Sequence, residues 1–205
     1  NLIIDTVMES QGDITIVTTG PCTNAAMAVR LEPRILPKIK RFVMMGGTYQ
    51  LGNITPAAEF NILCDPEAAH ILFTSGRPIT MIGLDVTRNA LATPEVVNRI
   101  RTLNNKASNL FCDLMDFFTK TQKEVFGWDS PPVHDPTTIA YLIDPSVVKT
   151  KPMNVEIELK GEKTYGRTVC DYMGILKKPE NAEVGIGLEP NKFWDIVYDT
   201  LKLYD

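Results

Sequence analysis

No stretch of this sequence stays apolar for the roughly 18 residues that a membrane-spanning helix needs, and no signal-peptide pattern opens it. Cysteine is sparse and scattered. Cys22, Cys64, Cys112 and Cys170 stand without any CxxC pair, which suggests neither a zinc site nor a disulfide framework. Buried thiols in a reducing cytoplasm are the expectation. Excess charge of one sign is lacking too: a net charge of −4 gives no footprint for nucleic acid or an anionic membrane. Nor is there a GxGxxG turn followed by an acidic residue about 20 positions on, which counts against a dinucleotide-binding oxidoreductase. What is present is ordinary for a globular chain. The 205 residues, 44% hydrophobic and 22% charged, suffice for one α/β domain with a sizeable core, and residues 1–205 are expected to form that single domain.

Short apolar runs alternate with helical patterns. Asn1 to Met8 reads as the end of an amphipathic helix already under way, so the chain is expected to be N-terminally incomplete. Asp13 to Thr19 is a β-branched strand running into Gly20-Pro21, and Thr23 or Asn24 can cap a helix that Pro33 stops. Phe42-Val-Met-Met45 suits a buried parallel strand. Asp65-Pro66-Glu67 starts a helix, with an N-cap, a proline at the first position and an acid in the first turn. Pro78 to Ile82 is the next strand, Thr93-Pro94-Glu95 opens another helix, and Lys106 to about Lys123 forms a longer one. Residues 124–133 read as a mobile loop exposing Phe126 and Trp128. Asp135-Pro136 starts a helix through Leu142. Met153 to Lys160 alternates as an edge strand near which Thr168 to Asp171 can pair, and Pro190 opens a final helix burying Phe193, Val197 and Leu201. Strands separated by helices predict an open, mostly parallel, doubly wound sheet with helices on both faces. Ligands gather at the C-terminal ends of such strands.

Four polar, small-residue segments fall at those places: Thr18-Thr-Gly-Pro-Cys-Thr-Asn24, Met44-Met-Gly-Gly47, Asn53 to Asn61, and His134-Asp-Pro136. Taken singly each has a plain structural explanation, as a turn, a close backbone packing site, a surface loop or a satisfied histidine. In this order and spacing they form a constellation. His70 lies mid-helix and is expected to be structural.

That constellation resembles the nucleoside hydrolases, specifically the C-terminal two-thirds of the inosine-uridine preferring family. The matching residues are Thr19-Gly-Pro-Cys-Thr-Asn24, Met45-Gly-Gly47, Gly52-Asn53, Ala58-Glu-Phe-Asn61, Asp65-Pro-Glu-Ala-Ala69, Gly83-Leu-Asp-Val-Thr87, His134-Asp-Pro136 and Ala140-Tyr-Leu142. The resemblance implies a cytoplasmic, calcium-dependent enzyme of nucleoside salvage that splits a purine or pyrimidine ribonucleoside into ribose and base. It implies a homodimer or homotetramer with a small-molecule substrate and no nucleic-acid or membrane partner. On this pattern Asp135 gives Ca2+ a carboxylate and Thr19 its carbonyl. Asn53, Glu59 and Asn61 hold ribose hydroxyls, the last two on one face of an extended segment. Met45 lines the ribose floor with Phe60 nearby, and His134 assists the departing base. Gln122 and Phe126, in the loop before His134, contact the base, with both uridine and inosine accepted.

One family feature has no counterpart. The aspartate-rich DTDPGxDD turn, which supplies further calcium carboxylates and the water-activating aspartate, is not found among Asp5, Asp13 and Asp65. The chain alone is therefore expected to be an incomplete, inactive piece of a hydrolase. The alternative is a relative that binds ribose or nucleoside without catalysis.

Overall fold

The computed structural model describes residues 1–204, with the side chain of Phe126 outside the description. It has an α/β fold with a mostly parallel central sheet. The chain gathers into two compact units, residues 1–86 with 150–186, and residues 87–149 with 187–205.

In the first unit, α1 (Leu2–Glu9), β1 (Ile14–Thr18) and α2 (Thr23–Leu31) follow the expected order, and a 3-10 turn at Pro33–Lys38 leads into β2 (Ile39–Met45). After the short α3 (Phe60–Cys64) and α4 (Pro66–Phe73) comes β3 (Ile79–Ile82). β1 pairs parallel with β2, and β2 with β3, each pair joined by a helical crossover. These strands are buried on both sides, which is why Phe42-Val-Met-Met45 reads as an unbroken apolar run and Ile79-Thr-Met-Ile82 as one interrupted only by the buried Thr80. Phe42, Met44, Leu72 and Met81 are fully buried in the core against Val7, Ala25 and Val184. At roughly 1.5–3 kcal/mol for each large apolar side chain removed from water, this cluster fixes the sheet. α4 starts where the sequence places it: the Asp65 carboxylate accepts from Ala68 N at 3.0 Å, with Pro66 and Glu67 in the first turn.

The second unit opens at the end of the single-turn α5 (Leu84–Thr87) and continues through α6 (Pro94–Arg101), α7 (Lys106–Phe126) and α8 (Pro136–Ile143). Asn105 and Ser108 form a reciprocal capping box at the start of α7, and Gly127 ends it with a left-handed φ of 71°. α9 (Pro190–Leu201) buries Phe193 and Trp194, while Val197 and Leu201 are only partly covered.

The rest of the strand pattern differs from the expected one. The central sheet has the order β1-β2-β3-β7-β4, with β4 at Val148–Met153 and β7 at Ala182–Leu188. Neither strand announces itself in the sequence. β4 carries Lys149, Lys151 and Pro152, and β7 carries Gly185 and Gly187, so both dilute the apolar alternation that marks a strand. The edge strand expected over Met153–Lys160 is shorter. β5 (Val155–Ile157) pairs antiparallel with β6 (Thr168–Cys170) in a separate two-stranded sheet.

The expectation of buried thiols holds for Cys22 and Cys112, but Cys64, at the end of α3, is exposed and Cys170 is half-buried. Burial pushes the Cys22 thiol up to about 11 and that of Cys170 up to about 12, so neither is a thiolate near neutral pH.

Candidate active site

In the first unit three adjacent parallel strands end side by side, and residues of the matched motifs lie just beyond each of them. β1 delivers Thr18 and Thr19, β2 delivers Met45-Gly46-Gly47, and β3 runs into Gly83-Leu84-Asp85. Thr18 is buried and Thr19 exposed. Gly47 has a left-handed φ of +75°, and a Cβ there would sit 2.8 Å from Thr168 Cγ2 and 2.9 Å from Met81 Sδ. Only glycine meets both demands. Thr48 N then donates to Thr168 Oγ1 at 2.9 Å, and that hydroxyl donates back to Thr48 O at 2.5 Å.

Glu59 and Asn61 sit immediately below this turn. The extended segment expected for them is not formed: Glu59 is the N-cap of α3 and Asn61 lies in its first turn. The cause is the Glu59 carboxylate, which accepts from Asn61 N at 2.8 Å and Ile62 N at 3.1 Å and so nucleates a helical turn. It also accepts from Gly47 N at 2.9 Å, although Glu59 is only 2% exposed. A single buried carboxylate thus ties the end of β2 to the start of α3. Asn61 Nδ2 donates to the Met45 carbonyl at 3.0 Å and approaches Met45 Sδ at 3.4 Å. Met45, Glu59 and Asn61 form one buried platform.

Asn53 is exposed, and its Oδ1 accepts from Phe60 N at 3.0 Å. Phe60 is itself about half exposed on the first turn of α3. The loop carrying Asn53 winds around Thr55, whose hydroxyl accepts from Ala57 N at 3.2 Å and Ala58 N at 2.9 Å. Gly52 lets the chain pass: a Cβ there would lie 2.1 Å from Thr55 O and 2.3 Å from Ala58 O. Both obstacles are backbone, so Gly52→Ala is expected to unwind the loop rather than shift a side chain. Faster hydrogen exchange of amides 53–60 and a lower Tm would report it. Unchanged exchange would mean the loop is not wound as described.

Other anchoring bonds in this unit were not expected from the sequence, although their residues stand in the matched motifs. Asp85 Oδ2 accepts from Thr48 Oγ1 at 3.0 Å and from Tyr49 N at 2.8 Å. Thr23 Oγ1 donates to Asp65 Oδ2 at 2.5 Å, joining the TGPCTN and DPEAA motifs directly. The available signal was position: both acids follow apolar stretches within the matched motifs, where a carboxylate serves backbone and hydroxyl donors.

The second unit holds His134 and Asp135. Residues 131–133 are held by backbone bonds, Ala92 N to Pro131 O and Val133 N to Ala90 O, both at 2.9 Å. The Thr87 hydroxyl lies 2.7 Å from His134 Nδ1, and Thr87 is fully buried. Burial, followed by the nearby Arg88 charge, pushes the His134 imidazole down to about 4, so it is neutral near pH 7. When Thr87 donates to Nδ1, the proton of the neutral ring sits on Nε2. Thr87 lies within the LDVT segment, but its partnership with His134 spans 47 positions and has no local signature. Asp135 caps α8 in position only, making no side-chain cap bond, and partial desolvation raises its carboxyl pKa.

Gln122 and Phe126 are not in the loop before His134. Both belong to α7, which runs to Phe126 because Gly127, not Lys123, supplies the left-handed stop. Gln122 is half-buried, the Phe126 side chain is outside the described residues, and Trp128 in the loop is partly exposed.

By donor type, the Thr19 carbonyl and Asp135 carboxylate suit a hard cation, for which calcium takes six to eight oxygens. By number they fall short. Among the described residues no three His, Cys, Asp or Glu side chains gather as a metal cluster.

Residues 1–195 match the sequence model of a family described as inosine-uridine preferring nucleoside hydrolase. The chain is 50% identical over 202 residues to the pyrimidine-specific ribonucleoside hydrolase RihB of Shigella flexneri serotype 5b (strain 8401), covering 98% of this chain and 64% of that protein. Among solved structures, it superimposes on a purine-preferring ribonucleoside hydrolase from Gardnerella vaginalis with a TM-score of 0.87 and 36% identity, covering 98% of this chain and 66% of that one. A plant nucleoside hydrolase, the PpNRh1 enzyme, gives a TM-score of 0.89 at 28% identity, with 98% of this chain and 65% of that one covered. The chain thus spans about two-thirds of the length of these relatives.

Proposed function

Because this chain belongs to the inosine-uridine preferring nucleoside hydrolase family, we propose that it serves hydrolysis of the N-glycosidic bond of pyrimidine ribonucleosides, releasing ribose and free base. The observation that carries the reading is the buried Met45–Glu59–Asn61 platform at the end of β2, where the family-matching residues hold one another in place. The pyrimidine preference rests on the 50% identity to a pyrimidine-specific relative, against 36% to a purine-preferring one.

The reaction builds an oxocarbenium-like sugar while negative charge collects on the leaving base. Asn53, Asn61 and Glu59 serve the sugar. Glu59 already accepts three backbone N–H groups, so its larger part is to fix Asn61 and the Gly47 turn. Met45 and Phe60 supply the apolar floor and wall. His134, neutral and oriented by Thr87, donates a hydrogen bond from Nε2 to the base as charge develops. Gln122 and Phe126 serve base recognition, from α7 instead of from a loop. Asn61→Ala is expected to lower kcat/KM for uridine by about tenfold to a hundredfold, the equivalent of ~1–3 kcal/mol for one lost hydrogen bond. Full activity of that variant on uridine would remove Asn61 from the site.

Calcium is the proposed ion, held from this chain by Asp135 and the Thr19 carbonyl. It would supply Lewis acidity and an anchor for sugar hydroxyls and water. Two oxygens from residues 1–205 are too few, and no residue among them is assigned to activate water. Residues 1–205 alone are therefore expected to bind calcium weakly and to leave uridine and inosine intact. Calorimetry with calcium, beside turnover assays on both nucleosides, tests this. Micromolar binding together with ordinary turnover would overturn it.

A further inference from the structure

The small sheet of β5 and β6 supplies no residue to the sugar platform, yet it is built against both segments that do. Its root is firm. Val155 and Ile157 of β5 are buried in the main core, and Ile157 pairs with Thr168 across the hairpin. From that root the chain reaches the platform at two places. Gly166, with a left-handed φ of +77°, lies so close to α3 that a Cβ there would sit 2.9 Å from Leu63 Cδ1 and 3.0 Å from Leu63 Cα. Two residues on, Thr168 meets the turn that leaves β2.

The Thr168 contact is more than packing. Thr168 and Thr48 are each 1% exposed, and the one hydroxyl serves both backbone groups of Thr48, accepting from its N–H and donating to its carbonyl. A residue needed only to fill this space would be Val, which has the same shape and no polar group to satisfy. The next residue is held as well. Tyr49 N donates to Asp85 Oδ2, and the Tyr49 ring stacks on Tyr172 with 5.5 Å between centroids and 21° between planes. Tyr172 is itself fixed, since Lys151 Nζ lies 3.9 Å from its ring centroid and donates to its carbonyl. On the other side of Thr48, Gly47 gives its N–H to Glu59, which caps the turn that carries Asn61. A chain of bonds thus runs from the Thr168 hydroxyl through Thr48 and Gly47 to Glu59 and Asn61.

We propose that β6 and the residues after it form a positioning arm of the sugar site: the Thr168 hydroxyl and the Tyr172 ring hold Thr48 and Tyr49, and through Gly47 they fix the Glu59–Asn61 pair for ribose. Neither residue touches the substrate; both act on Asn61 through the turn. The proposal rests on the reading of Asn61 as a sugar ligand of a nucleoside hydrolase.

Steady-state kinetics of the full-length gene product on uridine tests this. Thr168→Val is expected to lower kcat about tenfold with KM within about twofold of the parent, because a misaligned clamp loses bonds that strengthen in the transition state. Thr168→Ser, which retains the hydroxyl, is expected to keep kcat within about threefold of the parent. Tyr172 is 39% exposed, so Tyr172→Ala leaves the fold intact, and its kcat is expected to fall roughly two- to threefold. In the Asn61→Ala background Thr168→Val and Tyr172→Ala are expected to cost nothing further, because the group they position is gone. A parent inactive on uridine would overturn the nucleoside hydrolase reading and this proposal with it. With an active parent, three results would overturn the arm alone: full kcat in Thr168→Val, equal losses in Thr168→Val and Thr168→Ser, or losses that add to that of Asn61→Ala. Should Thr168→Val not fold, Tyr172→Ala decides, and a parent-like kcat in it would overturn the arm.

Discussion

His134→Ala in the full-length gene product is expected to lower kcat/KM for uridine by about a hundredfold to a thousandfold, the effect of removing one hydrogen-bond donor aimed at developing negative charge. The imidazole is neutral near pH 7 because burial and the Arg88 charge oppose protonation, and Thr87 at 2.7 Å from Nδ1 sets its orientation. Such a group helps only while the leaving base accumulates negative charge. p-Nitrophenyl riboside, whose leaving group departs without protonation, should therefore be cleaved by the variant at close to the parent rate. Equal losses on both substrates would assign His134 a structural role instead.

Glu59→Gln is expected to be costly in a different way. The native carboxylate accepts from the backbone amides of Gly47, Asn61 and Ile62 in a site that is 2% exposed. An amide has the same shape but turns one acceptor into a donor facing N–H groups. At least one buried N–H loses its partner, and the remaining bonds lose their charge assistance. Together these are worth about 3 kcal/mol, or a fall in Tm of roughly 10 °C for a chain of this size. Uridine turnover should fall with it, since Asn61 and the Gly47 turn lose their common anchor. Thermal unfolding within about 2–3 °C of the parent, the shift that roughly 1 kcal/mol produces, would show that the three bonds are not jointly needed.

Much of the fold was legible in the sequence because buried parallel strands leave near-continuous apolar runs and helices carry their caps locally. Phe42 to Met45, Ile79 to Ile82 and the Asp65-Pro66-Glu67 start are examples. β4 and β7 were not legible, since lysines, proline and glycines occupy them and their place in the sheet is set by distant partners. The site shows the same division. Its motifs stand out as polar clusters after strands, but the bonds that shape them link residues far apart in sequence. Thr168 with Thr48 and Thr87 with His134 are separated by 120 and 47 positions, respectively. The extended geometry expected for Glu59 and Asn61, with both side chains facing a sugar, failed because the Glu59 carboxylate caps α3.

The most direct measurement is release of ribose and free base from uridine, cytidine and inosine by the purified full-length gene product, before and after chelation of calcium. The account predicts rapid cleavage of uridine and cytidine, slower cleavage of inosine, and loss of activity on chelation that added calcium restores. No free base from any of the three nucleosides in the presence of calcium would contradict it.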